Sequence, residues 1–351
     1  MTNRFGTASD FSDGDILFSA DLSDSFNNLR YVDTYLINPT SSTIVAIVAH
    51  SATQWTSAGI TGSVYNTQNT GSSWTLSFTS GEETFLRLCK STLARAVVVD
   101  EDDTAPGTTI NVRTTSDSGA TWTLRTAADF DEVYDVSFSV PGRIVIAGDD
   151  VGAGVNNIVY STDDGVTWND PVTVPGVTVA VDMVNNLIGY ALDDTGAIWK
   201  TSDGAVNWTN TTHAAGGGLA KTTMYAITET LVIFVGPHAD NYIETYDNTA
   251  NITRRARPPT NSDTAVFIPG GIEVTSNDEI YVLFGRNGND GGAIVMKSVD
   301  SGVTWQTFPW LPATDFVTAT TKNIKCKISE AGTNRVLVST GSHDLFRLNA
   351  T

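Results

Sequence analysis

The chain has 351 residues, of which 40% are hydrophobic, and its 39 acidic and 20 basic residues give a formal net charge of −19. The electrostatic field of this net negative charge repels phosphate backbones and anionic lipid, so nucleic acid is not an expected partner. No apolar run approaches the roughly 18 residues of a membrane span, which argues against membrane insertion.

Metal and redox chemistry find little support in the sequence. Cys89, Cys326 and the scattered histidines lack the paired spacing of zinc or disulfide-exchange sites, so no cofactor is expected and the cysteines are predicted to be buried free thiols. Acidic stretches such as residues 100–103 are expected to be solvated loops, with a weak Ca²⁺ site as the alternative.

The first 30 residues form a polar, acidic leader that lies outside the repeat described next. Residues 13–14 predict a turn, and Ser19 is an N-cap candidate for a short helix running to about Asn28. Residues 1–15 have neither the basic nor the apolar region of a signal peptide, so export by that route is not expected. The leader is predicted to pack as a docking or closing arm.

A polar turn that ends in an aromatic residue recurs along the rest of the chain. Its copies end at Trp74, Trp122, Trp168, Trp208 and Trp305. The period is about 46 residues and the last interval spans about two periods, which indicates a repeat array with one altered copy. That copy lies at 245–252, where Asp247 is kept and Ile252 replaces the tryptophan.

The pattern S-x-D-x-G-x-T-W resembles the Asp-box (BNR-type) repeat of β-propellers. Residues 163–168 and 300–305 match it fully, residues 117–122 match with one residue fewer before the aspartate, and the copies at 69, 202 and 247 are degraded. The resemblance implies a hairpin between the third and fourth strands of a blade, with a carboxylate that accepts backbone N–H bonds, a positive-φ glycine and a packed indole. The residues predicted to play these structural parts are Trp74, Asp117, Gly119, Trp122, Asp163, Gly165, Trp168, Asp203, Trp208, Asp247, Asp300, Gly302 and Trp305.

Each period reads as short strands separated by Gly, Asn, Asp and Pro. The second blade is predicted at 84–90, 94–100, 109–114 and 121–126, and the third at 133–140, 143–148, 157–161 and 167–169. The seventh has strands near 323–329, 335–340 and 344–348 and then stops one strand short, so the N-terminal segment is predicted to cover its edge. The expected fold is a single all-β propeller of four-stranded antiparallel blades over residues 31–351, with seven blades, or six as the alternative.

The leader has a resemblance of its own. Its pattern F-x-D-G-D-x-L-x-x-A-D-L-x-D-x-F-N, over residues 11–27, is similar to leaders of structural proteins of tailed phages and archaeal viruses. The resemblance implies a virion origin and an arm that docks onto other virion proteins. The apolar residues expected to make those contacts are Phe11, Leu17, Leu22 and Phe26.

A catalytic function is the alternative to a virion structural role. Asp-box sialidases need an arginine triad on inner strands, and this sequence supplies few arginines there. Inverting glycosidases need two carboxylates about 6.5–9.5 Å apart, and Asp135 and Asp182 on predicted inner strands are the first candidates, with Glu273 as a third.

The function expected from the sequence is therefore that of a non-catalytic virion structural protein. It would be displayed on capsid or tail as a decoration, fibre or host-attachment module, as part of an oligomeric assembly on the particle surface, where it could meet a host glycan or protein. The alternative is a glycan-active enzyme, of glycoside hydrolase or sialidase-like type, or a lectin that stacks sugars on Tyr225, Tyr242 and Phe267.

Overall fold

In the described part of the computed structural model, runs of β-branched and apolar residues, interrupted by Gly, Asn and Asp turns, form 28 β-strands and no helix. The structure describes residues 32–37, 44–59, 62–80, 87–90, 94–100, 109–129, 132–140, 142–149, 157–173, 176–214, 223–235, 242–248, 252–258, 267–286, 292–308, 311–312, 328–330, 335–339 and 344–349.

The strands form seven antiparallel sheets, or blades, among these residues. The first four blades are β2 (Ile44–Ala49), β3 (Trp55–Gly59), β4 (Ser63–Thr67) and β5 (Thr75–Thr79); β6 (Arg87–Lys90), β7 (Ala96–Asp100), β8 (Thr109–Thr115) and β9 (Thr123–Asp129); β10 (Glu132–Val140), β11 (Arg143–Asp149) and β12 (Ile158–Ser161); and β13 (Thr178–Met183), β14 (Gly189–Asp193), β15 (Ala197–Thr201) and β16 (Thr209–Ala214).

Blades 5 to 7 follow the same order of strands. They are β17 (Thr223–Thr228), β18 (Leu231–Val235), β19 (Ile243–Tyr246) and β20 (Ile252–Ala256); β21 (Phe267–Val274), β22 (Ile280–Arg286), β23 (Gly292–Ser298), β24 (Gln306–Thr307) and β25 (Leu311–Pro312); and β26 (Ile328–Glu330), β27 (Arg335–Ser339) and β28 (Asp344–Asn349), with β1 (Val32–Ile37) as the outer strand.

The first strand of each blade lies next to the first strand of the following blade, in the cyclic order β2, β6, β10, β13, β17, β21, β26 and back to β2. A closed cycle of antiparallel sheets around a common axis is a β-propeller. The predicted fold class is confirmed, and the described strands make seven sheets rather than six.

The ring is closed by the N-terminal strand. β1 pairs antiparallel with β28, so that Val32 lies opposite Leu348 and Ile37 opposite Asp344. This confirms the prediction that an N-terminal segment covers the outer edge of the last blade. The predicted leader, residues 1–30, lies outside the described residues.

The hydrophobic core is divided among the blades. Among the described residues it forms six clusters, and each one is shared between two neighbouring sheets. The second strands lie between neighbours and are buried on both sides, in agreement with their continuous apolar runs at Ala96–Val99 and Ile144–Ala147.

Blade 3 departs from the four-strand expectation. The strand predicted at 167–169 is reduced to a single bridge between Tyr160 and Asn169. Pro171 then offers no N–H to a sheet ladder, and the chain crosses to blade 4, where the Val172 N–H donates to the Val206 carbonyl (2.8 Å). The outer strand is lost because the segment bonds to the next blade instead.

Candidate functional site

The Asp-box turns join the third and fourth strands, and box 6 (residues 298–305) shows their full geometry. The Ser298 hydroxyl donates to Asp300 Oδ1 (2.8 Å) and accepts the Gly302 N–H (2.9 Å). Thr304 donates its N–H to Oδ1 (2.8 Å) and its hydroxyl to Oδ2 of Asp300 (2.6 Å). The Trp305 indole N–H donates to the Gly302 carbonyl (2.9 Å). The box is a turn whose polar groups bond to one another.

Box 2 (115–122) has the same arrangement, including the bond from the Trp122 indole N–H to the Gly119 carbonyl (3.1 Å). Box 3 (161–168) has the same serine, threonine and aspartate bonds, but its Trp168 indole N–H is buried without a hydrogen-bond partner among the described residues. Box 2 has one residue fewer before the aspartate in the sequence pattern, but Thr115 occupies the serine position: its hydroxyl donates to Asp117 (2.8 Å) and accepts the Gly119 N–H (3.0 Å). Threonine can replace the serine of the pattern because its side chain carries the same hydroxyl group.

Box 1 (67–74), a degraded copy of the sequence pattern, keeps the hydrogen bonds of the turn. Asn69 stands in for the aspartate: its Oδ1 accepts the Thr67 hydroxyl (2.9 Å) and the Ser73 N–H (3.0 Å). Its amide Nδ2 donates to the Ser73 hydroxyl (2.9 Å). An asparagine therefore preserves the turn without the charge.

Box 4 (201–208) is also intact. Asp203 accepts the Thr201 hydroxyl (3.0 Å) together with the N–H (2.9 Å) and side-chain amide (2.8 Å) of Asn207. Ala205 occupies the usual glycine position at φ 73°, next to Gly204 at φ 78°. In box 5 (245–252), Asn248 has the expected positive φ of 62° and residues 249–251 lie outside the described part.

Boxes 2, 3, 4 and 6 also pack against the preceding blade. A Cβ on Gly119, which has φ +80°, would lie 2.3 Å from Thr56 Oγ1 and 2.9 Å from Asn66 Nδ2 of blade 1. Asn66 in turn donates to the Ser118 carbonyl (3.0 Å). Arg95 of blade 2 pairs with Asp164 of box 3, and Arg143 of blade 3 donates to the Gly204 carbonyl of box 4. The boxes therefore join neighbouring blades at the rim.

These hydrogen bonds lower the pKa of the box carboxyls. Side-chain and then backbone bonds from Thr304 lower the pKa of Asp300 to about 2, and the backbone bond from Thr167 leads in lowering that of Asp163. For Asp117 and Asp203, burial raises the pKa, but hydrogen bonds from Thr121 and Asn207 respectively outweigh it and the net shift is downward. The carboxylates are held in the charged form.

The predicted catalytic candidates lie at the seams, meaning the boundaries between first strands of neighbouring blades. Asp135 is 1% exposed on β10. Its Oδ2 accepts the Val181 N–H of the next blade (2.7 Å), and its Oδ1 accepts the Val136 N–H (2.9 Å). Each oxygen of this carboxylate therefore accepts a backbone amide, and one of the two amides belongs to the neighbouring blade.

Asp182 repeats the arrangement at the next seam. Its Oδ2 accepts the Ala226 N–H of blade 5 (2.9 Å), while Oδ1 accepts the Ser137 hydroxyl of blade 3 (3.0 Å). Ser137 in turn accepts the Met183 N–H (3.0 Å). Asp182 thus connects three consecutive blades.

At a third seam, between blades 6 and 7, glutamates of both blades accept hydrogen bonds from the other blade. Glu273 of blade 6 accepts the Glu330 N–H of blade 7 (2.7 Å). The Glu330 carboxylate accepts the hydroxyl (2.6 Å) and N–H (2.9 Å) of Ser276 back in blade 6. Sequence analysis did not identify Ser137 or Glu330, because their partners lie 45 and 54 residues away and no local pattern marks them.

The other predicted binding residues are dispersed. Tyr225 packs half-buried between blades 5 and 6, and the Arg257 guanidinium lies 5.9 Å from the Tyr242 ring centroid. The side chain of Phe267 and the residue Cys326 are outside the described part. Among the described residues, no three His, Cys, Asp or Glu side chains form a metal-binding group, and no helix is long and apolar enough to cross a membrane.

No protein-family model matches this chain, and no curated protein matches it in sequence. Solved structures do share its fold. A GH74 enzyme of Niastella koreensis has a TM-score of 0.64 at 16% identity, over 88% of this chain and 53% of that one. The chain therefore spans about half the length of that enzyme.

Two further solved structures match at near full length. YCF48 of Cyanidioschyzon merolae has a TM-score of 0.57 at 15% identity, over 90% of this chain and 98% of that one. The WD40 β-propeller domain of Doa1 has a TM-score of 0.59 at 11% identity, over 90% and 97%. At such identities the shared property is the β-propeller fold.

Proposed function

We propose that this chain is a non-catalytic interaction protein of a virion, a β-propeller displayed on capsid or tail as a decoration, fibre or host-attachment module. The non-catalytic part of the proposal rests on the hydrogen bonds that Asp135 and Asp182 make. Both carboxylates accept backbone N–H groups of the next blade. A general acid or base must instead be within reach of a substrate proton.

The virion part of the proposal is supported by the leader, whose residues 11–27 are similar to leaders of viral structural proteins. This leader is continuous with β1, the outer strand of blade 7. In this proposal, Phe11 and Leu17 of the leader join the module to neighbouring virion proteins.

Mass spectrometry and electron microscopy of purified particles test this proposal. The chain should co-purify with intact virions, and its propeller should be visible on capsid or tail. A Phe11→Asp/Leu17→Asp variant should remain folded but fail to enter particles. The matched control is Val172→Asp, at a residue 76% exposed on the propeller, and it should enter normally. If the wild-type chain is absent from intact virions, the proposal is wrong.

The alternative is a glycan-active enzyme or lectin, and the fold shared with the GH74 enzyme is the observation in its favour. A glycan array and a panel of fluorogenic glycosides separate the two ideas. Binding or turnover that withstands stringent purification would support the alternative. Its absence with folded protein would eliminate it.

A further inference from the structure

The end of box 4 and the outer strand of blade 4 carry two consecutive copies of the acceptor pattern for N-linked glycosylation, Asn-x-Thr. They are residues 207–209, Asn-Trp-Thr, and residues 210–212, Asn-Thr-Thr. In this pattern a sugar is attached to the side-chain amide of the asparagine, and the third residue must carry a hydroxyl group. Two further copies begin at Asn251 and Asn349, but neither lies wholly within the described residues. The first two copies can be compared in the structure.

The first copy is tied into box 4. Asn207 donates its side-chain Nδ2 to Asp203 Oδ2 (2.8 Å) and its backbone N–H to Asp203 Oδ1 (2.9 Å). Its middle residue, Trp208, is 3% exposed. The Trp208 N–H donates to the hydroxyl of Thr173 (2.9 Å), and that hydroxyl donates to the Trp208 carbonyl (3.1 Å). The nitrogen that would receive a sugar is therefore engaged, and the backbone around it is held from both sides.

The second copy has no such constraint. Asn210 and Thr212 are both exposed, and Asn210 Oδ1 accepts the Thr212 N–H (2.7 Å). An amide nitrogen cannot accept this bond, so the contact fixes which end of the Asn210 side chain is oxygen. Among the described residues, neither Asn210 Nδ2 nor the Thr212 hydroxyl makes a hydrogen bond to the protein. Both groups that define the acceptor pattern are thus available to an enzyme.

We infer that Asn210 is the acceptor of an N-linked glycan on the folded chain, whereas Asn207 is not. The donor is a sugar activated as a glycosyl diphosphate, carried by a nucleotide or by a lipid. The reaction forms a bond between Asn210 Nδ2 and C1 of the sugar and breaks the bond between C1 and a diphosphate oxygen. The amide loses one proton to a base of the transferase, and the diphosphate leaves with the bonding electron pair.

The position of Asn210 suits an attached glycan. It lies on β16, the outer strand of blade 4, where it pairs with Trp199 of β15. The next residue, Thr211, donates its hydroxyl to the Ile198 carbonyl (2.8 Å), so the strand is held from the inner side. A glycan on Asn210 would extend into water without breaking these contacts. It would also shield the outer edge of the blade, and such edges are common sites of unwanted pairing between sheets.

Peptide mapping by mass spectrometry tests the inference on the purified full-length protein in two reactions. One contains a soluble N-glycosyltransferase with UDP-glucose, and the other a membrane oligosaccharyltransferase with a lipid-diphosphate-linked oligosaccharide. We expect sugar on Asn210 and about tenfold less on Asn207, because the Asn207 amide must first break a hydrogen bond to a carboxylate. Modification in only one reaction assigns the donor to that carrier.

Substitutions of the hydroxyl residues sharpen the test. Thr212→Ala should abolish sugar on Asn210, and Thr212→Ser, which keeps the hydroxyl, should retain it. Thr212 has φ 65°, a conformation in which a β-branched residue is already disfavoured, so neither substitution adds backbone strain. The matched control is Thr209→Ala, which removes the hydroxyl of the first copy at an exposed position of the same strand and should leave Asn210 modified. Circular dichroism checks that the variants are folded.

Three results would overturn the inference. They are the absence of sugar from Asn210 in both reactions, equal modification of Asn207 and Asn210, and sugar on Asn210 that persists in Thr212→Ala. The inference goes beyond the virion proposal and does not depend on it. Each readout is made on the isolated protein, so its failure is distinct from absence of the chain from virions.

Discussion

Acidic side chains have different structural roles at the rim and at the centre of this propeller. In the rim boxes, Asp300 accepts hydrogen bonds from Thr304, four residues along the chain. At the seams, Asp135 accepts the Val181 amide, 46 residues away in another blade. The rim carboxylate shapes a turn, whereas the seam carboxylate holds two sheets together.

The two regions also differ in burial, and burial decides what each interaction contributes. Asp300 is exposed to water, so its hydrogen bonds compete with solvent. Asp135 is buried, and its removal would take away a hydrogen-bond acceptor of two backbone amides. We therefore expect substitutions at the seams to cost more than equivalent ones at the boxes.

Asp135→Ala tests the larger effect. We expect the free energy of unfolding to fall by about 3–4 kcal/mol, because buried amides without partners cost about 1–3 kcal/mol each. Urea denaturation followed by circular dichroism measures it. Asp194→Ala, at an exposed turn residue, is the control and should change stability by no more than about 0.5 kcal/mol. Equal effects of the two variants would contradict the role assigned to the seam.

Gly119→Ala tests how tightly a box packs on the preceding blade. The new methyl group would lie 2.3 Å from Thr56 Oγ1 in a backbone conformation of φ +80°. Strain and overpacking together should lower the free energy of unfolding by about 2–3 kcal/mol. Gly176→Ala is the control, since the nearest atom to its Cβ would be 3.9 Å away. If Gly119→Ala leaves the free energy of unfolding unchanged, box 2 does not pack tightly against blade 1.

Asp300→Asn tests the charge of a box. Because the pKa of Asp300 falls from its ordinary 3.8 to about 2 in the folded protein, its stabilising effect is complete above about pH 4 and is lost as the pH falls toward 2. Thermal melts of wild type and variant between pH 2 and 5 measure this. The variant should have a shallower dependence of Tm on pH in that window, and parallel curves would contradict the assignment.

Asn69→Asp is the converse and should have the smallest effect. It would give box 1 the carboxylate of boxes 2 to 4 and 6, with the Ser73 hydroxyl donating where it now accepts. We expect a gain of up to about 0.5 kcal/mol near neutral pH that disappears in acid, because charge-assisted hydrogen bonds exceed neutral ones modestly at exposed sites. A gain that persists at pH 2 would show that charge is not its source.

The sequence predicted what is encoded locally. The spacing of the tryptophans located the boxes, and the missing strand after residue 348 predicted that an N-terminal strand would close the ring, as β1 does. Boxes 1 and 4 match the sequence pattern poorly but keep the turn, because the turn depends on hydrogen-bonding roles that Asn69 and Thr201 also fill.

The sequence could not predict what depends on distant partners. Asp135 and Asp182 were correctly placed on first strands, but their hydrogen bonds to amides of other blades could not be predicted from the sequence. Blade 3 lost its predicted fourth strand because Pro171 and the contact between Val172 and Val206 draw the segment to blade 4. Such contacts appear only when the sheets are assembled.

The pairing of β1 with β28 has a consequence for biosynthesis. β1 is synthesised before the other described strands, but its partner at residues 344–349 emerges from the ribosome only after more than 300 further residues. During translation, the earlier blades can form while the ring is still open, and the ring closes only when β28 has been made. A prematurely terminated chain would keep an open sheet edge, which is a site for aggregation and for recognition by chaperones and proteases.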